Sequence, residues 1–334
     1  MRITTSMMTN KYVRNLNKSA NEMNHLNEKV ATGRKFFKGS EDPIGAIKAY
    51  KLRREFRASE MYDTNISDVD SFLTTAETNL TEISKNLELT YTSYLKGITG
   101  TMSSDDREII AKHLDNLQES ILTTLNSKIG DRYVFGGTSK DKMPFTLEEG
   151  TGNLLYKGVN VNDSTKLDIL KELSNETIHI DLGLGMTFTG SQLNKDTVLD
   201  MSMAGIKFMG YGTINGTDDG VPNNLYSLIG KIKDELRSNE FSMEKIKPYI
   251  SNFETNKKQV LVSVTDIGSK TNYLEFLKTR NEDGQFNINK DILNVEYVDK
   301  AEAIVQFKMQ EYSYNAALSM GNKILQNSFI DFMK

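Results

Sequence analysis

The sequence predicts a mainly α-helical protein with a β-rich insert, built as an elongated helical bundle or coiled coil from its N- and C-terminal segments. Near both ends of the chain, apolar residues recur at alternating steps of three and four residues, which is a heptad pattern. Similar patterns fill much of the interior. One central stretch differs, because it is rich in glycine and alternates apolar with polar residues.

The first predicted helix has a narrow apolar stripe along one side. The stripe consists of Tyr12, Leu16, Ser19, Met23, Leu26 and Val30. Gly33 is predicted to end this helix, because glycine readily takes the left-handed conformation found at helix C-termini. A bend follows through Ser40, with Phe36 and Phe37 predicted to pack it. Asp42 is predicted to cap the next helix, with Pro43 as its first residue.

Four further helices are predicted between the termini. The longest carries Ile66, Val69, Leu73, Ala76, Leu80, Ile83, Leu87, Thr90 and Tyr94, and ends at Gly97 and Gly100. The sequence Asp105-Asp106-Arg107-Glu108 resembles a capping box and precedes Ile110, Leu114, Leu117, Ile121 and Leu125. A short helix carries Leu225, Ile229, Ile232 and Leu236. A longer one carries Ile246, Ile250, Phe253, Val260, Val264, Ile267 and Leu274, with Pro248 in or near its first turn.

The central stretch, residues 130–220, contains 14 of the 23 glycines. Strands are predicted at 177–182 and 186–188 from their alternation, and residues 153–158 are predicted to form a strand followed by a turn. The predicted domains are therefore a terminal coiled-coil domain (1–40 with 298–334), a helical rod (41–140 with 221–297) and a β-rich insert (141–220).

The last predicted helix repeats the heptad stepping. Its stripe consists of Ile304, Phe307, Glu311, Tyr314, Leu318, Gly321, Leu325, Ser328 and Phe332. We expect an assembly interface in which Tyr314, Leu318, Leu325, Phe329 and Phe332 face Tyr12, Leu16, Met23, Leu26 and Val30. Our hypothesis is that residues 1 to about 35 and 298–334 are loose in the monomer and become ordered on assembly. A self-contained helical bundle is the open alternative, because its cores use the same spacing.

Catalytic chemistry has little support in this sequence. The absence of cysteine excludes disulfides, thiolate catalysis and Cys-ligated zinc. The loop from Gly33 to Ser40 lacks the spacing and lysine of a phosphate-binding loop. His25, His113 and His179 lack a second His at ligand spacing. We therefore predict no catalytic residue, no cofactor and no metal. A carboxylate hydrolase built on the insert is a distant alternative, since the chain has 45 acidic residues.

Charge and hydropathy also limit the partners. The net charge of −4 gives no reason to expect nucleic-acid binding, and no apolar run of 18 residues predicts membrane insertion. Arg53-Arg54 and Lys257-Lys258 are predicted to lie on solvated helix faces. The N-terminal residues have neither an apolar h-region nor a small-residue cleavage site, so we expect no cleaved signal peptide.

Several motifs resemble those of the bacterial flagellin superfamily. They are the opening MRITTSMM, Leu26 followed by Ala31-Thr32-Gly33, the SEDPIGA of residues 40–46, and the EYVDKAEAI of residues 296–304. Within the superfamily, the RYVFGGT of residues 132–138 and the SFIDFM of residues 328–333 resemble members at the junction of hook and filament. The resemblance covers about 1–140 and 225–334.

The resemblance implies a flagellin-like fold and a non-enzymatic structural adaptor that joins the flagellar hook to the filament. It further implies that copies assemble through terminal helices and contact hook-associated protein 1, flagellin and an export chaperone. The expected location is the extracellular flagellum, reached by type III export. Flagellin itself, the filament subunit, is the nearest alternative.

Overall fold

The computed structural model describes residues 5–98, 102–190, 192–214, 220–238 and 240–330. The helices of this part of the chain are α1 (Thr5–Thr32), α2 (Pro43–Gly97), α3 (Ser104–Leu125), α4 (Leu167–Ser174), α5 (Gly205–Met209), α6 (Leu225–Arg237), α7 (Met243–Glu296) and α8 (Lys300–Ile330). The strands are β1 (Lys128–Ile129), β2 (Arg132–Tyr133), β3 (Phe145–Leu147), β4 (Leu154–Tyr156), β5 (Val159–Asn160), β6 (His179–Ile180), β7 (Phe188–Thr189), β8 (Gln192–Leu193) and β9 (Leu199–Asp200). The predicted mainly α fold with a strand-containing insert is confirmed.

The chain forms two compact units. The first consists of Met1–Glu60 with Glu282–Lys334, and the second is Met61–Asn281. The predicted three-domain division stays a prediction.

The long heptad of α2 faces the core of the second unit. Its predicted stripe, Ile66 to Tyr94, is almost fully buried, including the polar Thr90. The Thr90 hydroxyl donates to the Asn86 carbonyl at 2.8 Å, so this polar side chain is satisfied inside the helix. Burial of one residue every three or four positions is what a 3.6-residue period requires of a helix packed on one side.

α3 begins earlier than its predicted capping box. Ser103 has an extended backbone and caps the helix, because its Oγ accepts from the Asp106 N–H at 3.2 Å and donates to the Asp106 carboxylate at 2.7 Å. The capping box therefore pairs Ser103 with Asp106 and does not begin at Asp105, which lies in the first turn.

α7 is longer than its apolar pattern indicates. It begins at Met243, so Pro248 is its sixth residue, and it continues past Leu274 to Glu296. The extension is polar and exposes most of its side chains, so its sequence lacks the periodic apolar signal.

Within the second unit, α7 packs against α2. The rings of Tyr94 and Phe253 meet edge to face at 5.7 Å between centroids. Lys257 Nζ lies 2.5 Å from a Glu88 carboxylate oxygen and 4.4 Å from the centroid of the Tyr91 ring. The predicted solvated face is therefore wrong for Lys257, whose long side chain covers an aromatic ring while its ammonium finds a partner.

The insert shares its core with the helices of the second unit. β3, β4 and β5 form an antiparallel sheet in which Phe145 pairs with Tyr156. Both of these rings are fully buried in one cluster with residues of α2, α3, α6 and α7. The remaining described strands pair in twos, as β1–β2, β6–β9 and β7–β8. The helices α4 and α5, which the sequence did not predict, lie between these strands.

The RYVFGGT motif joins α3 to the insert. Phe135 is fully buried, and its ring lies 5.2 Å from that of Phe208. Gly137 has a φ of +58°, and its N–H donates to the Met203 carbonyl at 3.1 Å. Arg132 lies with its guanidinium 5.0 Å from the Phe72 ring centroid, and burial lowers its pKa. The motif thus fixes the start of the insert to α2 and α5.

Candidate functional site

The terminal helices α1 and α8 lie side by side and antiparallel. Tyr12 Oη donates to the Ala317 carbonyl at 3.0 Å, and Gln310 Nε2 donates to Ser19 Oγ at 3.0 Å. As the chain advances along α1, its partners on α8 come earlier in sequence, which defines the antiparallel direction. Both contacts join residues about 300 positions apart and close the first unit on itself.

The predicted stripe of α1 faces α8. Its apolar members are half-buried, and so is Ser19. These members are Tyr12, Leu16, Met23, Leu26 and Val30. Partial burial of the whole stripe means that one partner helix does not fully cover it.

Part of the predicted stripe of α8 lies on the side toward α1, namely Phe307, Tyr314 and Gly321, but at Ile304 and Leu318 the preceding alanine takes the inward position. The positions turned toward α1 are Ala303, Phe307, Gln310, Tyr314, Ala317 and Gly321. Leu318 is 40% exposed in the monomer, so its place in an assembly interface stays a prediction, and Ile304 is exposed as well. The reason for this arrangement is steric, because small residues at 317 and 321 let Tyr12 approach the α8 backbone. Tyr314 is half-buried as expected of an inward position.

α8 presents larger apolar side chains on its opposite side. Val305, Met309, Tyr312 and Met320 are each more than half exposed. Their spacing follows helix periodicity, so they form one face, which we call the outer face of α8. The predicted interface residues Leu325 and Phe329 lie in α8 beyond the last described side chain, and Phe332 lies outside the described residues.

The bend between α1 and α2 has the local geometry that its sequence predicts. Gly33 has a φ of +74°, and its N–H donates to the Lys29 carbonyl at 2.8 Å, which closes α1. Asp42 Oδ1 accepts from the Gly45 N–H at 2.9 Å, and Pro43 is the first residue of α2.

Two aromatic side chains and one exposed carboxylate stabilise the bend. Phe36 and Phe37 are half-buried, and the Phe37 ring meets His25 edge to face at 6.1 Å. The Phe37 N–H donates to Glu41 Oε2 at 2.9 Å, and this bond lowers the pKa of the Glu41 carboxyl. Ser40 is exposed.

The bend pairs with the turn between α7 and α8. The Lys35 N–H donates to the Glu296 carbonyl at 2.7 Å, and the Val298 N–H donates to the Gly33 carbonyl at 2.9 Å. Arg34 and Tyr297 thus form an antiparallel bridge. This short ladder joins the two chain segments that lead into α2 and α8.

An ion pair reinforces the same junction. The Arg53 guanidinium binds both carboxylate oxygens of Glu296, and Glu296 is only 7% exposed. The hydrogen bond from Arg53 lowers the pKa of Glu296, although burial acts in the opposite direction. Arg53 itself remains nearly half exposed, so the predicted solvated position holds for it, and its guanidinium has a specific partner as well. Sequence reasoning missed this pair, because its partners are 243 residues apart and neither has a local partner to mark it.

The described part of the chain has neither a candidate metal cluster nor a candidate membrane span. Its His, Asp and Glu residues form no group of three that could bind a metal ion. Among the described helices, none combines the length and apolar character needed to cross a membrane.

Comparisons with known proteins agree with the sequence motifs. Residues 3–139 match the bacterial flagellin N-terminal helical region. Flagellar hook-associated protein 3 of Escherichia coli (strain K12) is 26% identical over 151 residues, which cover 45% of this chain and 48% of that protein. A flagellin of Clostridium tyrobutyricum is 26% identical over 121 residues, covering 36% of this chain and 32% of that protein.

A solved structure shares the fold. It is described as a flagellar hook-associated protein from Vibrio parahaemolyticus, superposes with a TM-score of 0.61 at 20% identity, and covers 77% of this chain and all of its own. By sequence, this chain spans about half the length of the hook-associated protein 3 that it matches.

Proposed function

We propose that this chain is a member of the bacterial flagellin superfamily and a structural adaptor that joins the flagellar hook to the filament. The outer face of α8 carries the proposal. It leaves four large apolar side chains exposed on a helix whose other side already contacts α1. Exposed apolar faces of this kind mark protein–protein contacts, so the terminal pair has a surface for further helices.

The proposed partners follow from the position of a junction. Copies of the chain contact one another through α1 and α8, hook-associated protein 1 lies on the hook side, and flagellin lies on the filament side. An export chaperone holds the C-terminal helix before assembly. The chain acts outside the cell, in the flagellum, and its role is structural and not enzymatic. The similarity to a hook-associated protein 3 supports this choice of partners.

Flagellin is the second candidate function. The similarity to the Clostridium tyrobutyricum flagellin favours it. The RYVFGGT segment and the SFIDFM segment favour the junction role, because both resemble the junction members of the superfamily. The two candidates differ in one observable, which is whether the protein alone builds a long polymer.

Electron microscopy of purified protein added to isolated hooks that carry hook-associated protein 1 tests the choice. A junction protein is expected to add a short layer that stops growing and then accepts flagellin. Long filaments of this protein alone would instead identify it as a flagellin. If the protein does not bind these hooks in either manner, the proposed function is wrong.

A pair of variants tests whether the outer face of α8 takes part in assembly. Met309→Asp places a charge in the outer face of α8, where Met309 is 65% exposed, so the folded monomer tolerates it. We expect loss of hook binding, because assembly would bury that charge without a partner. Asn315→Asp, at another exposed position of α8, is the matched control and is expected to bind normally. Equal binding by both variants would remove the outer face from the assembly surface.

A further inference from the structure

A groove lies beside the bend, within the first unit. It has a volume of about 290 Å³. Its lining contains the ion-paired Arg53 and Glu296, and also Arg34, whose side chain has no ion-pair partner within the groove. The uncharged members of the lining are aromatic or small and include Phe36, Phe37, Ala46 and Tyr50. Ile44 and Ile47 are exposed near Tyr50, on the first two turns of α2. The groove therefore fits an apolar side chain, and Arg34 favours a carboxylate next to that side chain.

The charge of the first unit is divided between its two segments. Met1–Glu60 contains 13 Lys and Arg against 6 Asp and Glu, a net charge of +7. Glu282–Lys334 contains 5 Lys and Arg against 8 Asp and Glu, a net charge of −3. Segments of opposite net charge on the same chain can attract each other between copies.

An exposed aromatic residue marks the acidic segment. Phe286 is 70% exposed on α7. Glu282 and Asp283 are exposed one turn before it, and positions three and four apart lie on the same side of a helix. We call Phe286 with these two carboxylates the acidic knob. It has the chemistry that the groove requires, an aromatic anchor flanked by negative charge.

We propose that the acidic knob of one copy enters the groove of a second copy, with Glu282 and Asp283 facing Arg34. The inference rests on the proposed assembly of copies and names the residues of one contact. Phe286 precedes Glu296, which lines the groove, by ten residues of continuous helix, about 15 Å. A knob held at that separation cannot fill the groove of its own chain.

The contact joins two different surfaces, so it is heterologous. A heterologous contact leaves one free knob and one free groove at each end, and copies therefore add in a ring or a helical row and do not stop at a dimer. That geometry suits a layer of identical subunits on a tubular structure.

Disulfide trapping between two single-cysteine variants tests the contact. The chain has no cysteine, so each introduced thiol is unique. Gly39→Cys places a thiol in the groove, where a Cβ meets nothing closer than Ala46 Cβ at 3.7 Å, and Asn287→Cys places one beside Phe286. The two variants are mixed, assembled on hooks that carry hook-associated protein 1, and oxidised. We expect a mixed disulfide dimer, which only two different copies can form.

Gly39→Cys mixed with Glu275→Cys is the matched control. Glu275 is exposed on α7 beside Phe276, an exposed phenylalanine that has Asn272 and Tyr273 in the preceding turn in place of two acids. We expect no disulfide from this mixture. The inference would be overturned if the variants bound hooks normally but formed no disulfide between Gly39→Cys and Asn287→Cys. It would also be overturned if the control mixture formed as much disulfide. Either result would leave the proposed function intact. Hooks that bind no protein would contradict the proposed function itself.

Affinity measurements give an independent test. Phe286→Ala is expected to raise the protein concentration needed for hook binding at least tenfold, whereas Phe276→Ala leaves it unchanged. Arg34→Glu is expected to weaken binding, and Glu282→Arg in the same chain to restore it by reversing both charges. Failure of this rescue, together with an unaffected Phe286→Ala variant, would show that the groove holds another partner, such as flagellin.

Discussion

From the ion pair of Arg53 and Glu296 we predict that loss of one partner destabilises the first unit more than loss of the other. In Arg53→Met the aliphatic length is kept and the positive charge is lost. In Glu296→Gln the shape is kept and the negative charge is lost. Because Glu296 is buried and the Arg53 side chain is 48% exposed, the two residues left behind differ in access to water.

The magnitudes follow from that difference. Arg53→Met leaves a buried carboxylate without its cation. Removal of one partner from a fully buried pair costs 3–5 kcal/mol, and the half-exposed arginine places the cost here at about 2 kcal/mol. Glu296→Gln leaves an arginine that water can reach and an amide oxygen that can still accept from it, so it costs about 1 kcal/mol. We therefore expect Arg53→Met to be the more damaging change.

Hydrogen exchange measured by mass spectrometry resolves this difference locally. Peptides that cover the bend and the α7–α8 turn report the opening of the first unit. A loss of about 2 kcal/mol lowers their protection about thirtyfold at pH 7, and a loss of about 1 kcal/mol about fivefold. Peptides from α3 and α6, which belong to the second unit, are the internal control and should keep their protection.

The pH dependence of the stability of the wild type and of Arg53→Met distinguishes an effect of charge from an effect of packing. In the wild type, Arg53 lowers the pKa of Glu296, so the stabilisation is present above the unfolded pKa of about 4.3 and is lost as pH falls through the folded pKa. In Arg53→Met the burial remains and raises the pKa, so the penalty is present at neutral pH and disappears on acidification. The difference in stability between the wild type and Arg53→Met should therefore become smaller from pH 7 to pH 4. A constant difference, or a larger cost for Glu296→Gln, would refute the reasoning.

Three further predictions concern single residues with matched controls. Tyr94→Phe should stabilise the chain by about 1 kcal/mol in urea unfolding followed by circular dichroism, because the buried Tyr94 hydroxyl has no hydrogen-bond partner among the described groups; a loss of stability would indicate a partner that this reasoning omits. Gly33→Ala should cost about 1–2 kcal/mol by hydrogen exchange in the bend, since φ is +74°, whereas Gly284→Ala, in open space within α7, should be neutral or stabilising. Ser103→Ala should cost about 1 kcal/mol in thermal unfolding through loss of the α3 cap, and an equal cost for the exposed Ser71→Ala would argue against capping as the cause.

The sequence could predict the long helices of the second unit because their burial is periodic. In α2, the residues from Ile66 to Tyr94 that repeat at heptad spacing are the residues that the structure buries. Gly97 then ends the helix, as glycine does where a helix stops packing. The division of one helix into a buried and an exposed side produces a periodic pattern in its own sequence. The pattern can therefore be recognised without knowledge of the element that packs against the helix.

Features that depend on distant partners could not be predicted in this way. Neither Arg53 nor Glu296 differs in sequence from an ordinary surface charge, and their pairing exists only after the bend brings α2 to the α7–α8 turn. α4 and α5 have eight and five residues. Such short segments are marginal on their own, so tertiary packing and not propensity decides that they are helical.

The shift at two positions of the α8 stripe has a different cause. Assigning the stripe by the size of the apolar residues favours Ile304 and Leu318, but the face that meets α1 contains Ala303 and Ala317 in their place. Small residues contribute little to a hydrophobic pattern and much to the distance at which two helices can pack. The choice of face therefore required the identity of the opposing side chain, Tyr12, which reaches the Ala317 carbonyl.

The same shift supports the hypothesis that the terminal helices become ordered on assembly. A helix pair stabilised only by its own contact would place most of its large apolar residues between the helices. α8 turns two of them, Phe307 and Tyr314, toward α1 and leaves four others exposed on its outer face. Full burial of those four side chains would stabilise an assembly by about 6–12 kcal/mol, comparable with the stability of a whole domain. We therefore expect low hydrogen-exchange protection of α1 and α8 in the dilute monomer and strong protection on the hook. Equal protection of these helices and of the second unit in the monomer would show that the terminal pair needs no neighbour.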